Sequence, residues 1–181
     1  MRALVIYESM YGNTHQIAEA IGEGLDLSDG VKVLPLADVT QSMLESADLI
    51  VVGGPTHAHG MSRESTRKAA VDAAGKPGNG LHLDPDAAGV GLRDWFGSLG
   101  TARGMAAAFD TRTNGPGMFT GHAAKGIAKM LRQHGLDLIV EPESFLVDKE
   151  SHLLLGERGR ALVWGENLAQ ALVASRTASI R

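Results

Sequence analysis

The chain has 181 residues, of which 44% are apolar and 21% are charged, and this composition is ordinary for one folded domain. It contains no cysteine, which excludes disulfides, thiolate metal sites and cysteine nucleophiles. The formal net charge is −4 with scattered lysines and arginines, so no nucleic-acid partner is expected, because phosphate neutralisation needs clustered cations. No apolar stretch approaches the roughly 18 residues of a membrane span, and the first apolar run is too short for a signal peptide, so a cytoplasmic location is expected.

Short apolar runs alternate with helical patterns along the whole chain. The predicted strands are Arg2–Glu8, Val31–Leu36, Asp48–Gly54, Arg103–Phe109, and a fifth strand split around Pro142 into Leu136–Val140 and Phe145–Val147. The predicted helices are Thr14–Leu25, Thr40–Ser46, Ser62–Ala74 with Ser62 as its cap, Leu92–Leu99, His122–His134 and Glu157–Val173. The two glycine-rich segments Gly75–Gly89 and Asp110–Gly121 are expected to be surface loops.

Five strands separated by helices predict an α/β fold, with a doubly wound parallel sheet and helices on both faces. Ligands of such sheets bind beyond the carboxyl ends of the strands, so the loops after the first, third and fourth strands are the candidates for a functional site. We expect one domain, residues 1–174, followed by a flexible tail at 175–181.

The loop after the first strand consists of Ser9, Met10, Tyr11, Gly12, Asn13 and Thr14. It offers hydroxyl and amide groups, and the free backbone N–H groups at the start of a helix can bind a phosphate. No lysine follows the glycine, so the pattern of a nucleoside-triphosphate loop is absent and one terminal phosphate is the better match. The alternative is a capped turn without a ligand, in which Thr14 is the N-cap of the helix.

The segment Tyr7–Ala18 resembles the FMN-phosphate loop of the flavodoxin family, whose pattern is Ser or Thr, any residue, Thr or Tyr, Gly, Asn, Thr. Other segments that resemble this family are Gly53–Thr56, Phe109–Arg112, Gly121–Ala124, Glu143–Val147 and Gly156–Gly165. The resemblance implies a five-stranded, flavodoxin-like sheet of strand order 2-1-3-4-5 with FMN as the cofactor.

The first flavin loop that the resemblance implies is Pro55–Ser62. Its entry residue is Pro55, and Thr56 and His57 are expected to reach the ribityl chain or the ring. The resemblance assigns to Gly60 the peptide that turns toward the flavin N5, because glycine tolerates both conformations. His57 and His59 could also be metal ligands, but no third ligand has suitable spacing, so no metal is expected.

The second flavin loop is implied at Asp110–Gly121, entered through Phe109. Backbone groups near Asp110 and Thr111 are expected to contact the pyrimidine edge of the ring. Arg112 is expected to place a cation near the flavin N1. The alternative is a local Asx-type turn followed by a surface arginine.

The sequence departs from the flavodoxin family in the aromatic residues of these loops. The first loop has only His57, His59 and Met61 to cover a flavin ring, and the second has only Phe119. Each missing stacking contact removes about 1 kcal/mol, so a weaker affinity for FMN is expected. Trp95, Phe96 and Trp164 lie outside both loops and are expected to be core residues.

Three functions remain open from the sequence. The leading one is an FMN-binding electron carrier that exchanges electrons with redox protein partners, as a monomer or a dimer. The second is an FMN-dependent NAD(P)H:quinone or flavin reductase, which the scarcity of covering aromatic residues favours. The third is a flavin-free interaction module that keeps the fold.

Overall fold

The computed structural model describes residues 1–179 and contains one parallel sheet. Its strands are β1 (Ala3–Tyr7), β2 (Val31–Pro35), β3 (Leu49–His57), β4 (Gly60–Met61), β5 (Gly104–Thr113), β6 (Leu136–Leu138) and β7 (Glu143–Val147). The order is β2-β1-β3-β5-β6, and β7 also runs parallel to β5. The predicted class and order are confirmed, and the split fifth strand is present as β6 and β7. The count rises to seven because β4 also pairs antiparallel with the end of β3.

Helices cover both faces of the sheet. They are α1 (Asn13–Leu25), α2 (Gln41–Ser46), α3 (Glu64–Ala74), α4 (Leu92–Ser98), α5 (Gly117–Thr120), α6 (Ala123–Gln133) and α7 (Glu157–Ser179). One apolar cluster joins α1 and α7 to the sheet through Ile17, Ile21 and Leu168. The other lies on the opposite face, where Leu92, Phe96 and Ile127 pack on β1, β3 and β5.

Three boundaries differ from the sequence prediction. Helix α3 begins at Glu64 and its N-cap is Arg63, whereas the predicted cap, Ser62, is fully buried. Strand β5 continues to Thr113, so the first residues of the predicted second loop lie in the sheet. Helix α7 continues to Ser179 and so occupies most of the predicted tail, of which residues 180–181 lie outside the described part of the chain.

The large aromatic residues outside the two loops are core residues, as predicted. Trp95 and Phe96 are buried under the sheet and contact each other edge to face, with ring centroids 5.0 Å apart. Trp164 is buried on the other face, where its ring lies 6.3 Å from that of Phe109. Every residue of β1 is buried, so the loop that follows this strand starts from a fixed point.

Candidate functional site

A cleft of about 100 Å³ opens at the carboxyl ends of β1, β3 and β5. The residues that line it are Met10, Tyr11, Asn13, Thr14, Pro55, Thr56, His57, Thr111, Arg112, Thr113, Val147 and Ser151. Ten of them belong to the three segments that the sequence analysis selected. Parallel strands bring these segments together because their carboxyl ends share one edge of the sheet.

The β1–α1 loop exposes backbone donors at the start of a helix. Gly12 is the N-cap of α1 with φ at +84°, and its own N–H donates to Ser9 Oγ at 3.1 Å. Within the described residues no side chain caps the first turn, so the N–H groups that begin with Asn13 have no intrahelical partner. The prediction that Thr14 is the N-cap is wrong, since Thr14 is the second residue of the helix.

Side chains of the same loop hold it in place from three directions. Tyr11 donates through its hydroxyl to the carbonyl of Ala70 in α3 at 2.9 Å. Asn13 donates through Nδ2 to the Ser151 carbonyl at 2.7 Å. Met10 is buried beside Ala70, so three side chains fasten the loop whose residues line one side of the cleft.

The hydroxyls of Thr14 and Thr111 join the first loop to β5. Their oxygens are 2.7 Å apart and both residues are buried. A hydroxyl can donate one hydrogen bond and accept two, so this pair keeps capacity for a further acceptor or donor in the cleft.

The predicted first flavin loop is a strand end and a tight hairpin. Pro55, Thr56 and His57 continue β3, and His57 pairs with Gly60 across a two-residue turn. The turn residues Ala58 and His59 have φ of +45° and +74°, a region that residues with a side chain enter at a cost. Gly60 lies in β4 and its φ is not positive, so the unusual backbone belongs to its two neighbours.

The hairpin tip is in direct backbone contact with the end of the second loop. His59 forms a bridge with Gly121, whose φ is +78°. A Cβ atom on Gly121 would lie 2.2 Å from the Cα of His59, so only glycine permits this approach. The two loops are therefore joined at this point.

The residues of the predicted second loop divide between the core and the cleft. The Phe109 ring is fully buried against Phe145 and Trp164, so its side chain does not reach the cleft. Thr111 and Arg112 line the cleft from within β5. The alternative of a local Asx-type turn at Asp110 is wrong, because this residue is in regular strand pairing with Ser144.

Asp110 and Thr56 cap helix α6. Asp110 Oδ2 accepts from the N–H of Ala124 at 2.8 Å and from the Thr56 hydroxyl at 3.1 Å. Thr56 Oγ1 in turn accepts from the N–H of Ala123 at 2.9 Å. Burial raises the pKa of the Asp110 carboxyl above its ordinary value, and these hydrogen bonds oppose the rise.

Arg112 brings a positive charge to the rim of the cleft. Its NH1 group donates to the Gly115 carbonyl at 3.0 Å and to Thr120 Oγ1 at 2.8 Å, which holds the start of the second loop. Its Nε is buried without a hydrogen-bond partner among the residues that the structure describes. A buried N–H group without a partner favours the binding of a ligand that places an oxygen atom next to it.

His57 lines the cleft but is held by helix α3. Burial lowers the pKa of its imidazole, while a hydrogen bond to the Thr66 backbone opposes this change. His59 lies at the hairpin tip. In residues 1–179 no three His, Asp or Glu side chains are close enough to hold a metal ion.

Sequence reasoning missed two buried carboxylates at this edge of the sheet. Glu8 directly precedes the loop and accepts from the N–H of Leu92 at 2.8 Å, and burial raises the pKa of its carboxyl. Asp84 is in the segment predicted as an irregular loop, and its N–H donates to the carbonyl of Met10 at 2.8 Å. The position of Glu8 at a strand end was a usable signal, whereas nothing in the sequence distinguishes Asp84.

The outer walls of the site carry exposed apolar side chains. Met118 and Phe119, in the four-residue helix α5, are 84% and 70% exposed. Among the described lining residues the aromatic rings are those of Tyr11 and His57, both of which bond to α3.

The described part of the chain has no helix with the length and apolarity that crossing a membrane requires.

Comparisons with known proteins agree with this architecture. Residues 4–67 match the model of the flavodoxin domain. A flavodoxin from the domain Archaea superimposes with a TM-score of 0.63 and 22% identity, over 95% of this chain and 99% of that one. Flavodoxin 1 from Bacillus cereus superimposes with a TM-score of 0.62 and 18% identity. A WrbA-like protein from Agrobacterium tumefaciens superimposes with a TM-score of 0.57 and 18% identity. Each alignment covers 96% of this chain and 98% of the other chain. No curated protein sequence matches the chain.

The fold and the cleft define a doubly wound α/β protein with an uncapped helix start at the edge of its sheet. The matching domain model runs from β1 to the first turn of α3, and the solved flavodoxins share the fold of nearly the whole chain. The chain therefore has the flavodoxin-like fold.

Proposed function

We propose that the protein binds FMN in this cleft and carries electrons between redox protein partners. The observation that carries the proposal is the meeting of an uncapped helix start, two hydroxyls and a cation in one cleft. Bound FMN would supply the reversible electron transfer.

The phosphate of FMN would lie at the start of α1. The backbone N–H groups of Asn13 and Thr14 and the positive end of the helix dipole favour an anion there. The Thr14 hydroxyl borders the same place, the Ser9 hydroxyl accepts from the N–H of Gly12, and no side chain of the described residues caps the helix start. The cleft volume of about 100 Å³ suits a phosphate and the near part of its chain, so the ring would lie against the outer walls.

The outer walls would orient the flavin ring. The strand ends carry Thr56 and Thr111, whose backbone groups can meet the polar edge of the ring. Arg112 would favour negative charge at the N1 side, because a nearby cation stabilises an anion. We assign the peptide that would turn toward the flavin N5 to Ala58 and His59 and not to Gly60, because these two residues form the strained turn.

Exposed apolar residues next to the cleft support the role of a carrier. Met118 and Phe119 lie in the segment that Arg112 holds through Thr120. Exposed apolar side chains stabilise a complex when a partner protein covers them and removes them from water. A redox protein that docks here would bring its own centre close to the ring.

The direct test is a titration of the apo-protein with FMN, followed by flavin absorbance and fluorescence. We expect a one-to-one complex, and riboflavin should bind more weakly because it lacks the phosphate. The matched variant is Asn13→Asp, which adds a negative charge at the first residue of α1 and removes the hydrogen bond to the Ser151 carbonyl. It should weaken FMN binding more than riboflavin binding, because only FMN carries the phosphate. No complex at high micromolar FMN would refute the proposal.

The second candidate function is an FMN-dependent NAD(P)H reductase. The observation that favours it is the scarcity of aromatic cover, since a hydride donor needs access to the flavin face. Anaerobic mixing of the FMN-loaded protein with NADPH separates the two functions. Rapid loss of flavin absorbance supports the reductase, whereas reduction only through an added redox protein supports the carrier.

A further inference from the structure

The segment 75–91, which links α3 to α4, is packed against the outside of the β1–α1 loop. The N–H of Asp84 donates to the carbonyl of Met10 at 2.8 Å. Ala87 shares a small apolar cluster with Met10 and Ala70. Segment 75–91 therefore supports the outer side of the β1–α1 loop.

The Asp84 carboxylate lies behind the glycine of that loop. Its side chain is only 2% exposed, and a methyl group on Gly12 would lie 3.8 Å from its Oδ2. The same oxygen is 3.2 Å from Nδ1 of His15, the third residue of α1. Among the described residues no lysine or arginine pairs with Asp84, so His15 is the group that can balance its charge.

The groups that face His15 come from three elements. Asp84 approaches from segment 75–91, and Glu19 on α1 places Oε1 3.6 Å from Nε2 of His15. The Tyr7 ring of β1 stacks on the imidazole with centroids 4.4 Å apart. Burial and the carboxylates of Asp84 and its neighbours raise the pKa of the Tyr7 hydroxyl, so this phenol stays neutral. Histidine is the side-chain type whose ordinary pKa lies in the physiological range.

We propose that Asp84 and His15 together set how tightly the β1–α1 loop holds a phosphate monoester. This proposal rests on the proposed function, because it concerns the same loop. Asp84 opposes the phosphate when His15 is neutral, and a protonated His15 cancels that opposition. The effect is large for a loop of neutral donors, because a buried charge is weakly screened.

The test compares FMN with riboflavin, which shares the ring and ribityl chain but carries no phosphate. At pH 8 we expect Asp84→Asn to lower the Kd for FMN about tenfold and to leave the Kd for riboflavin unchanged. Asparagine keeps the shape of the side chain and the backbone bond to Met10. The matched control is Asp86→Asn, which removes an exposed carboxylate of the same segment and should change neither Kd.

The role of His15 is tested by the pH dependence of His15→Gln. The ratio of the Kd of this variant to that of the wild type should rise as the pH falls from 8 to 5.5, with FMN as the ligand. The second ionisation of the phosphate occurs in the same range, but it affects both proteins equally and cancels in the ratio.

Several outcomes would overturn the proposal. One is an Asp84→Asn variant that weakens FMN, or that shifts FMN and riboflavin alike, as a merely structural residue would. If circular dichroism shows that this variant is unfolded, the His15→Gln ratio decides, and a flat ratio overturns the proposal. A wild type that binds neither flavin instead refutes the proposed function, so the two failures are distinguishable.

Discussion

The two ends of the cleft are built differently, and we call them the phosphate end and the ring end after the parts of FMN that we propose they hold. At the phosphate end, hydrogen bonds from Tyr11, Asn13 and Thr14 reach three other parts of the chain. At the ring end, the walls are a strained two-residue turn and the short helix α5 with exposed Phe119. The first region is ordered by the fold, whereas the second has little apolar burial of its own.

This difference indicates which part of a ligand the protein recognises before binding. A preorganised loop loses little entropy when the phosphate arrives, while the ring walls must still become ordered around the flavin. We therefore expect the phosphate to supply most of the selectivity and the ring end to supply the adaptable contacts. The predictions below change one end at a time, starting with the largest expected effect.

Gly121→Ala should break the ring end. A Cβ atom would lie 2.2 Å from the Cα of His59, so the two loops must separate, and we expect FMN affinity to fall more than about tenfold. The control is Gly30→Ala, where φ is +98° and a Cβ would meet no atom within 4 Å. Both variants should lose about 1–2 kcal/mol of stability from the positive φ. Gly121→Ala should lose more because of the clash, and only this variant should lose FMN. Equal FMN affinities would show that the loops are not coupled.

Thr14→Val tests the hydrogen bond that fastens the phosphate end to β5. It leaves the buried Thr111 hydroxyl without its partner, which should cost about 1–3 kcal/mol in urea unfolding of the apo-protein. The double variant with Thr111→Val should recover most of this stability, since both polar groups are then removed. It should not recover FMN affinity, because the Thr14 hydroxyl is still missing from the cleft. Recovery of both quantities would mean that this hydroxyl does not contact the ligand.

Asp110→Asn has the smallest expected effect, which is measured as a change in the pH dependence of the free energy of unfolding. Burial raises the pKa of Asp110 in the folded state, so the folded protein binds more protons than the unfolded chain above the ordinary value of 3.8. The contribution of Asp110 to the free energy of unfolding is therefore fully present below this pH. It is lost as the pH rises through the pKa that Asp110 has in the folded protein. The unfolding free energy of the wild type minus that of the variant should decrease over this window. A constant difference would show that Asp110 titrates normally.

Much of the site was predictable because its signals are local in sequence. The run of apolar residues before Gly12 predicts a buried strand, and the residues after it predict a helix start with free donors. The roles of Asp110 and Thr56 were not predictable in this way. They cap α6, which begins at Ala123, and this pairing depends on how two neighbouring strands place their ends.

The amino-acid sequence alone determined the α/β class and the position of the glycine turn between β1 and α1, and the family resemblance implied the strand order. The class and the turn follow from apolar periodicity and from a glycine at a strand-to-helix turn, which act over a few residues. Only the tertiary structure decided that Phe109 turns into the core, that Gly121 meets His59, and that Asp84 lies behind Gly12. Such contacts join residues far apart in the chain, so their distances are set by the packing of whole elements and not by any local pattern.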